Sequence, residues 1–198
     1  MSGVSAILTA AGESTRMGSP KPLLSWKGTT LVEYQVRCLL EAGCAEVIVV
    51  LGHAAEMVEP HVVGEHVRHV LNPLYRQGKT TSIKAGLGAI SDDADGILLL
   101  AVDQPRTAAI IAEVLKAHNA HRPAITSPRY KGHGGHPLVF DASLRHELEA
   151  ISEGEQGIRQ VFDAHRDEVY EAPIDDPMLR LDLNTREAYE EARQRYGA

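Results

Sequence analysis

Two stretches of the chain, Ala45–Leu51 (AEVIVVL) and Gly96–Val102 (GILLLAV), are almost continuously apolar, and a third, Val4–Ala10 (VSAILTA), comes close. A strand with one face in water alternates apolar and polar residues. A continuous run of this length needs cover on both faces, which points to a mostly parallel sheet packed between helices. The intervening segments supply those helices. Thr30-Leu-Val-Glu33 has the spacing of a capping box and opens a helix that Gly43 can close. Helical patterns follow over Ala54–His61, Thr80–Ile90 and Thr107–Asn119, with a strand predicted at Val67–Leu71. After Pro123 the pattern loosens to a strand at 124–127, a Gly/His loop, the apolar PLVF at 137–140, two helices within 142–164 and a closing helix from Arg186 to Tyr196. The expected architecture is α/β: a Rossmann-like, doubly wound, mostly parallel sheet, with the part beyond Pro123 serving substrate binding.

At 198 residues the chain is expected to form a single domain, 1–198, since no repeat or linker divides it. The formal net charge of −7 excludes an ordinary nucleic-acid binder, so any anionic ligand must be held by local cations. Cys38 and Cys44 do not form a C-x-x-C and imply neither a disulfide framework nor a zinc site. No basic segment followed by an apolar run opens the chain, and no apolar stretch approaches the roughly 18 residues of a membrane span. The expected location is the cytoplasm.

The doubly wound arrangement puts the carboxyl ends of the strands at the ligand-binding edge. The first strand leaves there through TAAGESTRMGSPKPLL, Thr9 to Leu24. Small residues at Ala10, Ala11 and Gly12 allow backbone N–H groups to approach an anion, while Arg16 adds a planar fork and Lys21 a compact point charge. A phosphate chain matches both features; a solvated turn with two surface cations is the alternative. GKT at 78–80 is not a P-loop, because Pro73 stands where the pattern requires glycine, but Gly78 precedes a helix whose first turn carries Thr80, Thr81 and Ser82.

Asp103 ends the most hydrophobic strand in LLLAVDQP, and Gln104-Pro105 forces a turn after it. It is a candidate magnesium ligand or, alternatively, a helix cap, for which Thr107 is better placed. In LRLDLNT, Asp182 and Asn184 share a face if the piece is extended; they complete an oxygen shell with Asp103 or belong to the cap of the closing helix. His133-Gly-Gly-His136-Pro lacks partners at zinc spacing.

The long opening loop resembles the signature of nucleotidyltransferases with a glycosyltransferase-A-like fold. NPLYRQGKTTSIKAGL, AVDQP, GHGGHPLVF and LDLNTREAYEEA follow in the order of one branch, the molybdenum cofactor cytidylyltransferase-like proteins. The resemblance covers essentially the whole chain. It implies a nucleotide-binding part over about 1–122 and an acceptor-binding part over about 123–198. It further implies transfer of CMP from CTP to the phosphate of a molybdopterin-type acceptor, with release of pyrophosphate and with a molybdoenzyme or its chaperone as receiving partner. By the same resemblance, the backbone at Leu8, Ala10, Ala11 and Gly12, with Gly78 and Ser82, holds the base and ribose. Arg16 and Lys21 grip the β- and γ-phosphates, Asp103 and Asp182 hold Mg2+ (Mn2+ as the alternative), and His136 faces the acceptor. Arg16, Lys21 and Asp103 are thus the expected catalytic residues. The chain departs from the family pattern at Lys79-Thr80, where a hydrophobic residue and serine are usual, and at Asn184, Arg186 and Ala188. Ala10-Ala11-Gly12 in place of Gly-Gly, and Pro20 in place of Asp, favour CTP over GTP. The rival readings are a same-fold transferase using GTP or a sugar or alcohol phosphate, and a non-catalytic pterin-binding accessory protein.

Overall fold

The computed structural model describes residues 3–14 and 18–197. Its main sheet has eight strands. Seven of them, β1 (Val4–Ala10), β4 (Glu46–Leu51), β5 (Val67–Leu71), β6 (Gly96–Ala101), β7 (Ile125–Tyr130), β9 (Leu138–Asp141) and β10 (Val169–Pro173), lie in the order β10-β7-β9-β6-β1-β4-β5. The eighth, β8 (His133–Gly134), pairs with β7. A two-residue hairpin, β2 (Ser25–Trp26) and β3 (Thr29–Thr30), forms a separate small sheet. Strands β5, β4, β1 and β6 run parallel, β9 runs antiparallel to both β6 and β7, and β10 is parallel to β7. The mixed, mostly parallel sheet is the α/β architecture read from the sequence.

The continuous apolar runs have the expected cause. Alternate residues of each central strand enter opposite cores: Ala6, Leu8 and Ala10 of β1 go to one, Ile7 to the other. Val47, Val49 and Leu51 separate likewise from Ile48 and Val50, and Leu98 and Leu100 from Ile97 and Leu99. The first core lies under α1 (Leu31–Glu41), α4 (Ala108–His121) and α7 (Arg186–Tyr196); the second lies under α3 (Lys79–Leu87), α5 (Arg145–Ala150) and α6 (Ile158–Ala164). Each large aliphatic side chain so buried stabilises the fold by about 1.5–3 kcal/mol. Cys38 and Cys44 are buried free thiols of the first core. No helix among the described residues is long and apolar enough to cross a membrane.

Helix ends follow the capping rules closely. Thr30 Oγ1 accepts from the Glu33 amide at 3.3 Å while the Glu33 carboxylate accepts from the Thr30 amide at 2.9 Å, completing the predicted box. The predicted helix at Ala54–His61 is one turn of α-helix, α2 (Ala55–Val58), followed by a 3-10 turn. Helix α3 stops at Leu87, three residues short of expectation, because Gly88 caps it. Among the features not foreseen are the β2–β3 hairpin, the short β8 within the expected Gly/His loop, and the edge strand β10, in which only Ala172 is buried. An edge strand paired on one side has no need of a continuous apolar run, so periodicity does not reveal it.

Candidate active site

The parallel register sets β1 and β6 level at their carboxyl ends, with Thr9 opposite Ala101. One further backbone bond, Val102 N–H to Thr9 O at 2.9 Å, carries the pairing to the residue before Asp103. The chain then turns sharply, with the Gln104 amide on Ala101 O at 3.0 Å. Gln35, fully buried on α1, fixes that turn from behind: its amide nitrogen donates to Gln104 O at 2.7 Å and its oxygen accepts from Arg106 N at 3.2 Å. The cap of α4 is Thr107, whose hydroxyl accepts from Ile110 N at 3.2 Å. Asp103 is therefore free of capping and points to other partners.

Those partners come from both ends of the chain. Lys21 Nζ donates to Asp103 Oδ2 at 2.6 Å and to Asn184 Oδ1 at 2.9 Å, and the Lys21 amide donates to Ser14 Oγ at 2.9 Å. The Leu183 amide donates to Asp103 O at 2.8 Å, which pins the 182–184 segment onto the end of β6. Thr185 caps α7 through the Ala188 amide at 3.2 Å, leaving Asp182 and Asn184 for the site. The buried Oδ1 of Asp182 has no hydrogen-bond partner among the described residues. Burial, with the Asp103 charge beside it, pushes the Asp182 carboxyl above the usual carboxylate range, against the opposing pull of Lys21 and Gln104.

These groups open onto a cavity of about 560 Å³. Ala10, Ala11, Gly12, Lys21, Gly78, Ser82, Asp103 and His136 all line it. Leu8 does not: it is wholly buried in the first core, and Thr9 lines the cavity instead. Asp182 is set behind Asp103 and is not itself among the lining residues, whereas Asn184 is. Arg16 lies outside the described residues. Gly78 has a φ of 123°, a conformation that favours glycine, and a Cβ there would also displace the Glu153 carboxylate. That Glu153 oxygen accepts from the Thr80 amide at 2.8 Å and caps α3. Ser82 Oγ takes a bond from the buried Asn72 side chain at 3.0 Å, which also donates to Thr81 Oγ1 at 2.9 Å.

His136 is largely withdrawn from water. Burial, joined by the nearby charges of Arg106 and Lys79, lowers its pKa to about 4, with Asp103 opposing. At neutral pH the imidazole is uncharged, able to donate from one nitrogen and accept at the other. Among the described residues no three His, Cys, Asp or Glu side chains converge on one point.

Sequence reasoning missed Arg106. This guanidinium, 1% exposed, donates to His136 O at 2.8 Å, Pro105 O at 2.8 Å, Leu181 O at 2.9 Å and Leu179 O at 2.6 Å. It thereby joins three segments: the turn after Asp103, the His136 loop and the approach to Asp182. Burial lowers its pKa to about 10, opposed by the carboxylates of Asp182, Asp176 and Asp103 and by Tyr196, so it stays charged. An arginine after a proline carries no sequence signal of such a role.

A MobA-like NTP transferase domain model matches residues 6–169. The chain belongs to this family. MobA-like proteins include a molybdenum cofactor cytidylyltransferase from Escherichia coli K12, 28% identical over 99% of this chain and 98% of its own length. The nicotine blue oxidoreductase of Paenarthrobacter nicotinovorans is 35% identical over 79% of each chain. Among solved structures, Rv0371c from Mycobacterium tuberculosis H37Rv superimposes with a TM-score of 0.84 at 26% identity, covering 96% of this chain and 97% of that one. The same protein has been solved with manganese and superimposes with a TM-score of 0.79. The MobA-like chain described here is a nucleotidyltransferase with the glycosyltransferase-A-like fold.

Proposed function

We propose that the protein transfers CMP from CTP to the phosphate of a molybdopterin-type acceptor and releases pyrophosphate. The observation that carries this reading is the convergence of Lys21, Asp103 and Asn184 at the level ends of β1 and β6, on the wall of a cavity large enough for a nucleotide. An aspartate paired to a lysine, near a second carboxyl, that of Asp182, with one oxygen left without a bond, is a place suited to added cations and phosphate rather than a structural ion pair.

A divalent ion fits these residues. The unsatisfied Asp182 Oδ1 is an oxygen donor in need of a partner, and magnesium is commonly held by one or two carboxylates completed by substrate phosphates and water. Asp103 and Asp182 would hold it, with Asn184 adding a neutral amide oxygen. When bound, such an ion withdraws charge from the phosphate oxygens it touches. The manganese complex of Rv0371c supports divalent-metal use, with magnesium the expected physiological ion.

The chain's own groups account for the rest. The backbone of Ala10–Gly12, with Gly78 and Ser82, would hold the nucleoside. Lys21, held on the cavity wall by Asp103 and Asn184, would grip the β- and γ-phosphates together with Arg16, and both would stabilise charge on the departing pyrophosphate. Neutral His136 faces the acceptor and orients it by hydrogen bonding. The acceptor phosphate is already a nucleophile, so no side-chain base is required, and positioning with electrostatic stabilisation supplies the catalysis.

Crowding beside the end of β1 supports the choice of a pyrimidine. Gly52 packs so closely that a Cβ there would lie 2.7 Å from Ala11 Cβ and 2.9 Å from Tyr75 Cβ. With the Ala10 and Ala11 methyl groups this crowds the edge beside the strand end, which suits a pyrimidine over a purine. A site that hydrogen-bonds cytosine's own edge rejects other bases more strongly than shape alone. The test is competition between CTP and GTP at equal concentration, with the metal-bound pterin acceptor and products separated by mass. A cytosine dinucleotide is expected. A guanine dinucleotide would overturn the base assignment, and reduction of nicotine blue without pyrophosphate release would move the chain to the activity named for its Paenarthrobacter relative. The product is expected to pass to a molybdoenzyme or its chaperone.

A further inference from the structure

Lys79 is the first residue of α3, exposed, and placed where a cation opposes the helix's own positive end. No direct bond in the fold compensates it. The helix end is satisfied by Glu153 on the Thr80 amide, and Lys79 makes no hydrogen bond or ion pair among the described residues. Three described lysine or arginine side chains line the cavity. Lys21 is engaged by Asp103 and Asn184, and Arg76 by Glu13 at 2.8 Å. Lys79 remains for a ligand. Lys79 shares the cavity wall with His136, Glu153 and Gln156, and the start of its helix is bound to Glu153 and packed beside Gly157, so it stands against the acceptor-binding part rather than beside the loop that leads to Lys21.

We propose that Lys79 binds the acceptor's phosphate and makes the enzyme selective for acceptors carrying a phosphate monoester. The inference rests on the transfer reaction proposed above. In that step an oxygen of the acceptor phosphate bonds to the α-phosphorus while the bond from that phosphorus to the α–β bridging oxygen breaks. The electron pair leaves with pyrophosphate, and no proton moves, because the attacking oxygen is already anionic. Two anions must approach closely for this to occur. An ammonium on the cavity wall shared with His136 offsets their repulsion, and this use explains a lysine at a position that is electrostatically unfavourable in the free protein.

The experiment compares Lys79→Gln and Lys79→Arg with the wild-type chain in pyrophosphate release from CTP and molybdopterin. Lys79→Gln is expected to raise KM for the pterin about tenfold, the usual loss for one charged hydrogen bond, with KM for CTP changed less than twofold. Lys79→Arg recovers most of that loss, and added salt narrows the gap between wild type and Lys79→Gln. The melting temperature of Lys79→Gln stays level or rises by about 1–3 °C, because a cation leaves a helix N-terminus. A raised KM for CTP alone, or no change in either constant, overturns the assignment. If the wild-type chain releases no pyrophosphate with any nucleotide, the transfer reading fails first. Lys79 is then judged by calorimetric titration of inorganic phosphate into the Lys21→Ala chain with and without Lys79→Gln. Weaker phosphate binding in the double variant supports the site, and equal affinity overturns it.

Discussion

The low pKa of His136 makes a quantitative prediction about stability. Its imidazole has a pKa of about 4 in the folded chain against an ordinary value of 6.5, because burial and two neighbouring cations disfavour the charged form. A group whose folded pKa is depressed binds its proton first in the unfolded chain. Stability from this residue is therefore complete above pH 6.5, falls as the pH drops from 6.5 toward 4, and levels off below that. At about 1.36 kcal/mol per pH unit, this difference sets a ceiling of about 3 kcal/mol, of which roughly 2 kcal/mol is lost by pH 5.

The assay is urea unfolding of the metal-free chain at intervals from pH 7.5 to 4.5, with wild type and His136→Gln side by side. Other groups titrate in this window, including His118, whose pKa burial also lowers. They do so equally in both chains, and the difference isolates His136. The stability of wild type relative to His136→Gln should fall by about 2 kcal/mol between pH 7 and pH 5. Adding Lys79→Gln to both chains should shrink this change, since one of the two repelling cations has gone. A difference that stays flat with pH would refute the reasoning, and a difference of opposite sign would mean that His136 is charged in the folded protein and pairs with Asp103.

Arg106→Met leaves carbonyls of four residues without their shared donor and should cost on the order of 3–5 kcal/mol, read as a melting temperature lower by about 6 °C or more. Lys21→Ala should lower the rate of pyrophosphate release about 10²–10³-fold, and Arg16→Ala should follow it; wild-type rates in either would remove the phosphate-grip role. Asp103→Asn should abolish metal-dependent activity at ordinary magnesium concentration while shifting the melting temperature by only about 1–3 °C, since asparagine still accepts from Lys21. Activity that survives this change would put the metal elsewhere.

Local rules carried the sequence reading as far as they could reach. Continuous apolar runs identified the strands covered on both faces, and the Thr30–Glu33 spacing identified the start of α1. The choice between Asp103 and Thr107 as the cap of α4 was decided as capping geometry prefers, for the residue immediately before the helix. Asp103 at the end of a buried strand was legible because a charge left at that edge after six apolar residues needs a reason. The pairings that build the site are of another kind. Lys21 meets Asp103 across 82 positions and Asn184 across 163, and no periodicity encodes either. Arg106 is more instructive still. It reads as a surface residue because arginine usually is one, and it is buried only because three separate segments turn their carbonyls toward one point. A planar fork can serve all of them at once; an ammonium cannot. The demand for arginine arises from the assembled fold, so a single sequence shows the residue without the reason. Lys79 is the converse case: its position on the helix was nearly right in the sequence, and what remained hidden was that every other described lysine or arginine on the cavity wall is already engaged. A residue left over by such an accounting points to a ligand when, as here, its charge also works against the element that carries it.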